Sequence, residues 1–197
     1  MLTTLVTDEL DFPNLSMVGV DDRAAAYTAV DYLIRQGHRK IAVLGGPVTS
    51  YPSLMRRQGA QQAMEDAGIV FNDKLYGLSN YDFESAYHAM NSLLARRAEF
   101  TALFAMSDVI AFGAIRALVS AGLRVPEDVS VIGFDGITMS RYCVPVMTTI
   151  VQPSEQIALQ SIELLINQIE HGAPAQTITL QPELQQGESV CPCRHPL

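Results

Sequence analysis

The chain has 197 residues, 48% of them hydrophobic and 17% charged, enough for one large or two small folded domains with a substantial core. Its 13 Lys and Arg against 21 Asp and Glu leave a formal net charge of -8, which excludes a surface built to neutralise nucleic-acid phosphates. No run approaches the roughly 20 continuous apolar residues that span a bilayer. Asp8 and Glu9 stand where a signal peptide would carry Lys or Arg, and 3 cysteines are too few for a disulfide framework, so a soluble protein of the reducing cytoplasm is expected.

Taken in order, the chain alternates strand and helix periods, the pattern of an α/β protein with a parallel, doubly wound sheet. A short apolar strand spans Leu15 to Val20. Asp21 and Asp22 then offer N-cap oxygens to a helix with Ala26, Val30, Leu33 and Ile34 on one face, and Gly37 supplies the left-handed turn that ends it. Lys40 to Leu44 reads as a buried strand. Ser53 is expected to cap a second helix, apolar at Met55, Ala60, Ala63, Met64 and Ala67 and closed by Gly68, with Lys74 to Ser79 following as a weaker strand. A third helix from about Phe83 to Arg96 places Phe83, Ala86, Tyr87, Met90 and Leu94 in register, before the continuous apolar strand Thr101 to Met106.

Ser107 and Asp108 are read as caps of a fourth helix that ends at Gly122. Pro126 leads into the β-branched strand Val129 to Phe134, which meets a turn at Asp135 and Gly136; Met147 to Val151 is another strand. Pro153 and Ser154 open a long helix whose buried side is expected to carry Ile157, Ile162, Leu165, Ile166 and Ile169, ended by Gly172. Thr177 to Leu180 is the final strand. The last residues read as a frayed tail, with Cys191-Pro192-Cys193 lacking the second Cys/His pair that a metal site needs.

Ligands of open parallel sheets bind beyond the carboxyl ends of the strands, which selects Gly45, Gly46 and the loop toward Arg56, then Tyr81, Ser107, Asp108, Asp135 and Gln152. A guanidinium, a carboxylate, an amide, a hydroxyl and an aromatic ring on one rim suit a polyhydroxylated ligand. Each has a structural rival. Arg56 could pair with an acid on a helix surface, Asp135 before Gly136 could be a turn residue, and Tyr81 could cover the core. Ser107 and Asp108 could be caps alone, and Gln152 could satisfy loop backbone. No nucleophile elbow occurs, and His38, His88, His171 and His195 do not cluster, His38 reading as decoration of a helix-to-strand turn. Gly45-Gly46 belongs to neither the P-loop nor the dinucleotide fingerprint. Neither an enzyme, a cofactor nor a metal site is therefore expected.

Four segments carry a family resemblance: residues 32–47 (YLIRQGHRKIAVLGGP), 107–114 (SDVIAFGA), 122–135 (GLRVPEDVSVIGFD) and 147–153 (MTTIVQP). In order and spacing they resemble the lactose/galactose repressor (LacI/GalR) family across nearly the whole chain. The resemblance implies a periplasmic-binding-protein-like effector domain whose two lobes hinge around a small-molecule cleft, and a homodimer that contacts operator DNA only through a helix-turn-helix head. That head, the hinge and most of the N-terminal lobe would lie outside this sequence. On that pattern residues 1–20 carry the last strand of the N-terminal lobe and 21–151 a near-complete C-terminal lobe. Residues 152–172 form the helix returning to the first lobe, 173–187 a final strand segment and 188–197 a tail.

The family's effector contacts carry over to Arg56 (in an Arg-x-x-Gly stretch), Tyr81, Ser107, Asp135 and Gln152, while Pro52 stands where members often have a small polar residue. The implied effector is a sugar or sugar derivative, and no membrane partner is expected. The rival functions are a transport sugar-binding protein of the same fold and a nucleotide-using α/β enzyme. The acidic charge predicts that this chain alone will show no nanomolar, salt-resistant affinity for duplex DNA in a mobility-shift assay; a shift of that kind would overturn the reading.

Overall fold

Local punctuation accounts for most of the helix boundaries in the computed structural model, which describes residues 15–97 and 99–193. Helix α1 (Asp22–Arg35) opens on Asp21, whose carboxylate accepts the Ala24 N–H at 2.9 Å. Helix α3 (Phe83–Ala95) opens on Asp82, accepting from Ser85 N at 2.7 Å, and α4 (Asp108–Ser120) on Ser107, accepting from Ile110 N at 3.1 Å. Helix α2 (Tyr51–Asp66) is capped by Ser50, not by Ser53 as expected. Ser53 lies three residues on, buried, with its hydroxyl against the Met106 sulfur. Gly37, Gly68, Gly122 and Gly172 each take positive φ just past a helix end.

The main sheet has strand order β3-β2-β4-β5-β6-β8, with β2 (Ile41–Gly45), β3 (Tyr76–Leu78), β4 (Ala102–Ala105), β5 (Ser130–Asp135) and β6 (Thr148–Val151) all parallel and β8 (Glu183–Gln185) at the edge. Strands β2 and β4 are buried at every residue, as a sheet covered on both faces requires. Phe104, Phe134 and Leu44 from the sheet and Leu33, Met64 and Met90 from the helices are among the largest fully buried side chains. The weak strand read over Lys74 to Ser79 is a 3-10 turn, Asp73–Leu75, followed by only three residues of strand. In α3 the buried side chains are Ala86, Met90 and Leu93, while Phe83 is exposed.

Helices α1 and α2 pack closely because residue 59 is glycine: a Cβ there would stand 2.0 Å from the Arg23 carbonyl oxygen. A separate two-stranded parallel sheet joins β1 (Met17–Val20) to β7 (Thr177–Leu180), and α5 (Ser154–His171) packs on β1, with Ser16 Oγ bonded to Gln168 at 2.8 Å.

Two expectations need correction here. The apolar side assigned to α5 is not buried: Ile162 is 55% exposed, Ile166 44% and Ile169 65%, Ile157 and Leu165 are half-buried, and Leu164 alone in the helix is buried. Helical periodicity marks an apolar face but not the surface that covers it. Nor do residues 173–187 form one final strand with a frayed tail after it. Past β7, Glu183–Gln185 form β8, antiparallel to β6 at the edge of the main sheet. The next residues run on across that sheet. Ser189 is fully buried, accepting the Thr148 N–H at 2.8 Å and donating to the Val131 carbonyl at 2.6 Å, and Cys193 N donates to the Gln36 carbonyl at 2.7 Å.

His38 anchors the same segment instead of decorating a turn. It is buried, with Nε2 at 3.0 Å from the Cys191 carbonyl and Nδ1 at 2.9 Å from Thr101 Oγ1. A carbonyl only accepts, so Nε2 carries the proton and Nδ1 accepts from the threonine. Burial pushes the His38 pKa down, in keeping with a neutral ring. The rest of the expected tail, 194–197, lies outside the described residues.

Gly59→Ala should force α1 and α2 apart and lower the unfolding free energy by roughly 1–3 kcal/mol in urea denaturation, whereas an unchanged midpoint would contradict this helix contact.

Candidate functional site

Strand order in the main sheet reverses between β2 and β4: the chain leaves β2 for β3 on one side and takes β4, β5 and β6 on the other. A crevice opens at such a switch point beyond the carboxyl ends of the two strands. Gly45 ends β2 with Gly46 after it, and Met106-Ser107 follow β4, so the expected rim residues arrive there by topology.

Arg56, on α2, is the centre of the arrangement. Its side chain is 7% exposed, and Nε donates to Asp22 Oδ1 at 2.6 Å. Nη1 donates to the Met106 carbonyl and stands 3.6 Å from Asp135 Oδ1, while the guanidinium carbon lies 3.7 Å from the centroid of the Phe134 ring. An arginine stacked on a ring and bonded along its edge has one orientation available. Asp22 was expected to be a helix cap. Asp21 fills that role, and Asp22, in the first turn of α1, turns inward as the counter-ion.

Asp135 ends β5 with φ 109, a backbone region that favours glycine and costs about 1–3 kcal/mol for other residues. Gln152 holds it twice, through its own N–H to the Asp135 carbonyl at 3.1 Å and through Nε2 to Oδ1 at 2.8 Å. Burial raises the Asp135 pKa, and the adjacent Arg56 charge and the Gln152 bond oppose that rise. A cleft of about 670 Å³ opens from Asp135 and Gln152 toward Arg141 and the first turn of α5.

Arg56, Asp135 and Gln152 therefore form one connected set. Ser107 joins it through the chain, following the Met106 whose carbonyl Arg56 holds; its own hydroxyl is engaged as the α4 cap. Tyr81, at φ 59, lays its ring over Gly46, where a Cβ would come within 2.1 Å of it. Its buried hydroxyl finds no hydrogen-bond partner among the described residues. Pro52 sits in the first turn of α2, half-buried and without an N–H to offer. Asp108 is not the α4 cap, because Ser107 is; its carboxylate accepts from Thr149 Oγ1 at 2.6 Å and from Ile137 N at 2.9 Å. Sequence reasoning missed the inward turn of Asp22 and the Asp108–Thr149 bond, although two adjacent acids before one helix already imply that one of them is spare for another partner. Among the described residues no three His, Cys, Asp or Glu side chains group as a metal site, and no helix is long and apolar enough to cross a membrane.

A periplasmic binding protein-like domain family matches residues 30–190. A solved sugar-binding transcriptional regulator of the LacI family from Escherichia coli, complexed with phosphate, superposes with TM-score 0.83 at 31% identity, covering 91% of this chain and 69% of the other. The chain belongs to the LacI family. Another LacI-type relative, the transcriptional regulator CelR in complex with cellobiose, matches with TM-score 0.88 at 32% identity over 92% of this chain and 56% of its own. The HTH-type transcriptional repressor PurR of Histophilus somni is 36% identical over 178 residues, 90% of this chain. The chain spans about half the length of the curated LacI-family relatives it matches, 54% in the case of PurR. These relatives are transcriptional regulators, not enzymes.

Removing one member of a buried ion pair strands the other, so Asp22→Ala should lower stability by roughly 3–5 kcal/mol. Arg124→Ala, in the exposed Arg124–Asp128 pair, should change it little. Similar losses for the two variants in urea denaturation would contradict the central place given to Asp22.

Proposed function

We propose that this chain is the effector-sensing part of a LacI-family transcriptional regulator of the cytoplasm, binding a sugar or sugar derivative without chemical turnover. The observation that carries the reading is the immobilised Arg56 guanidinium beside the Asp135 carboxylate, which Gln152 aims into the cleft. A fixed cation and a fixed anion side by side bond to vicinal hydroxyls, one donating and the other accepting, and such charge-assisted bonds are about twice as strong as neutral ones. The Tyr81 ring is an apolar face of the kind that a sugar stacks on.

In the intact regulator the six-stranded unit is one wall of the cleft, and β1, α5 and β7 belong to the other lobe, which explains the exposed isoleucines of α5. The intact protein is a dimer that reaches operator DNA through its helix-turn-helix head. Effector binding changes operator affinity only to the extent that it prefers one of two dimer forms.

The test uses the whole regulator. A panel of monosaccharides and disaccharides, cellobiose among them, is screened by thermal shift, and the sugar that raises Tm is then titrated by calorimetry into Arg56→Ala and Asp135→Ala. Each variant should lose roughly 2–4 kcal/mol of binding, and Tyr81→Ala less. A panel without a single hit, or variants that keep the parent affinity within a factor of about three, would sink the assignment.

A further inference from the structure

The turn that aims Asp135 is itself held from beneath by a second, deeper carboxylate. Asp108, the first residue of α4, is fully buried, and with Ser107 serving as the cap its side chain is not needed by its own helix. One oxygen accepts from Thr149 Oγ1 on β6 at 2.6 Å and the other from the Ile137 N–H, two residues past Asp135, at 2.9 Å. The carboxylate has room there because residue 133 on β5 is glycine; a Cβ would stand 2.2 Å from Asp108 Oδ1. Asp108 thus ties β6, at Thr149, to the start of the turn that follows β5, just past the residue whose backbone is held at φ 109.

We infer that Asp108 is a positioning residue of the effector rim: its ionised carboxylate holds the Gly136–Ile137 turn that aims Asp135, and its protonation loosens that turn. What Asp135 is aimed at rests on the effector-binding reading; the hold on the turn does not.

The groups facing Asp108 set where it titrates. Burial raises its pKa to about 6, the bonds from Thr149 and Ile137 oppose the rise, and the Asp135 charge adds to it. Cys143, in the loop before β6, also feels the Asp108 charge, and its own thiol is pushed up chiefly by burial, so it stays neutral and contributes no competing charge. Above about pH 6 the carboxylate accepts both bonds at full strength. Below that the protonated acid is a weaker acceptor for the Ile137 N–H, and the turn slackens.

The test needs no ligand and uses the chain as it stands, so its failure is distinct from a failure of effector binding. Amide signals of Gly136 and Ile137 and the Gln152 side-chain amide are followed by NMR across the range from about pH 4.5 to pH 8. The three should titrate together with one midpoint near 6, and Asp108→Asn should remove that transition and speed Ile137 amide exchange roughly tenfold near neutral pH. Asn keeps the shape but has one acceptor oxygen for two donors.

A transition that survives Asp108→Asn at the same midpoint, or an Ile137 amide whose exchange does not change, overturns the inference. If Asp108→Asn fails to fold, Thr149→Val takes its place. Losing a donor that favours the charged form should move the midpoint upward, and an unmoved midpoint is equally fatal.

Discussion

A guanidinium cannot leave water without partners on its edge and face, and the burial of Arg56 is the constraint around which this molecule is arranged. Asp22 meets it from the first turn of α1, the Met106 carbonyl from just past β4, and the Phe134 ring and the Asp135 carboxylate from the last two residues of β5. Three elements far apart in sequence are thereby fixed around one side chain that belongs to a fourth, α2. The close approach of α1 to α2, made possible by Gly59, brings Asp22 within 2.6 Å of Arg56. Helix packing and site geometry have a common cause.

Energy is stored at the rim as well as gained there. Asp135 keeps a backbone conformation that favours glycine, with its carboxyl partly withdrawn from water, and both costs are sustained by neighbours. Gln152 clamps its backbone and side chain, and Asp108 pins the turn that follows. A binding surface prepared in this way offers a ligand fixed donors and acceptors with little ordering left to do at the moment of binding.

What the amino-acid sequence made legible was local. Strands buried on both faces are continuous apolar runs, as in Thr101 to Met106, and helices stop at glycines whose positive φ the structure bears out at positions 37, 68, 122 and 172. What it hid was tertiary. Ser50 and Ser53 are equally good caps by type, and the choice between them turns on which of the two has packed against Met106. Ser189, Cys191 and Cys193 have no periodicity to betray that they dock on β5, Thr148, Gln36 and His38. The apolar stripe of α5 was legible as a stripe, but whether it is covered was not, because covering it takes a surface that periodicity cannot supply. Asp135 and Gln152 stand at or just past strand ends and Arg56 in the helix after one, so the sequence and the family resemblance already named the three residues that the structure brings together. Asp22 and Asp108 were taken for helix caps because a carboxylate in the first turn usually is one.

The account stands on the claim that Arg56 and Asp135 grip the effector directly. The most direct test is a crystal structure of the intact regulator with its sugar bound. The account predicts ligand oxygens within about 3.2 Å of both the Arg56 guanidinium and the Asp135 carboxylate, with Gln152 still bonded to Asp135. A sugar seated elsewhere, or in this cleft but touching neither charge, would contradict it.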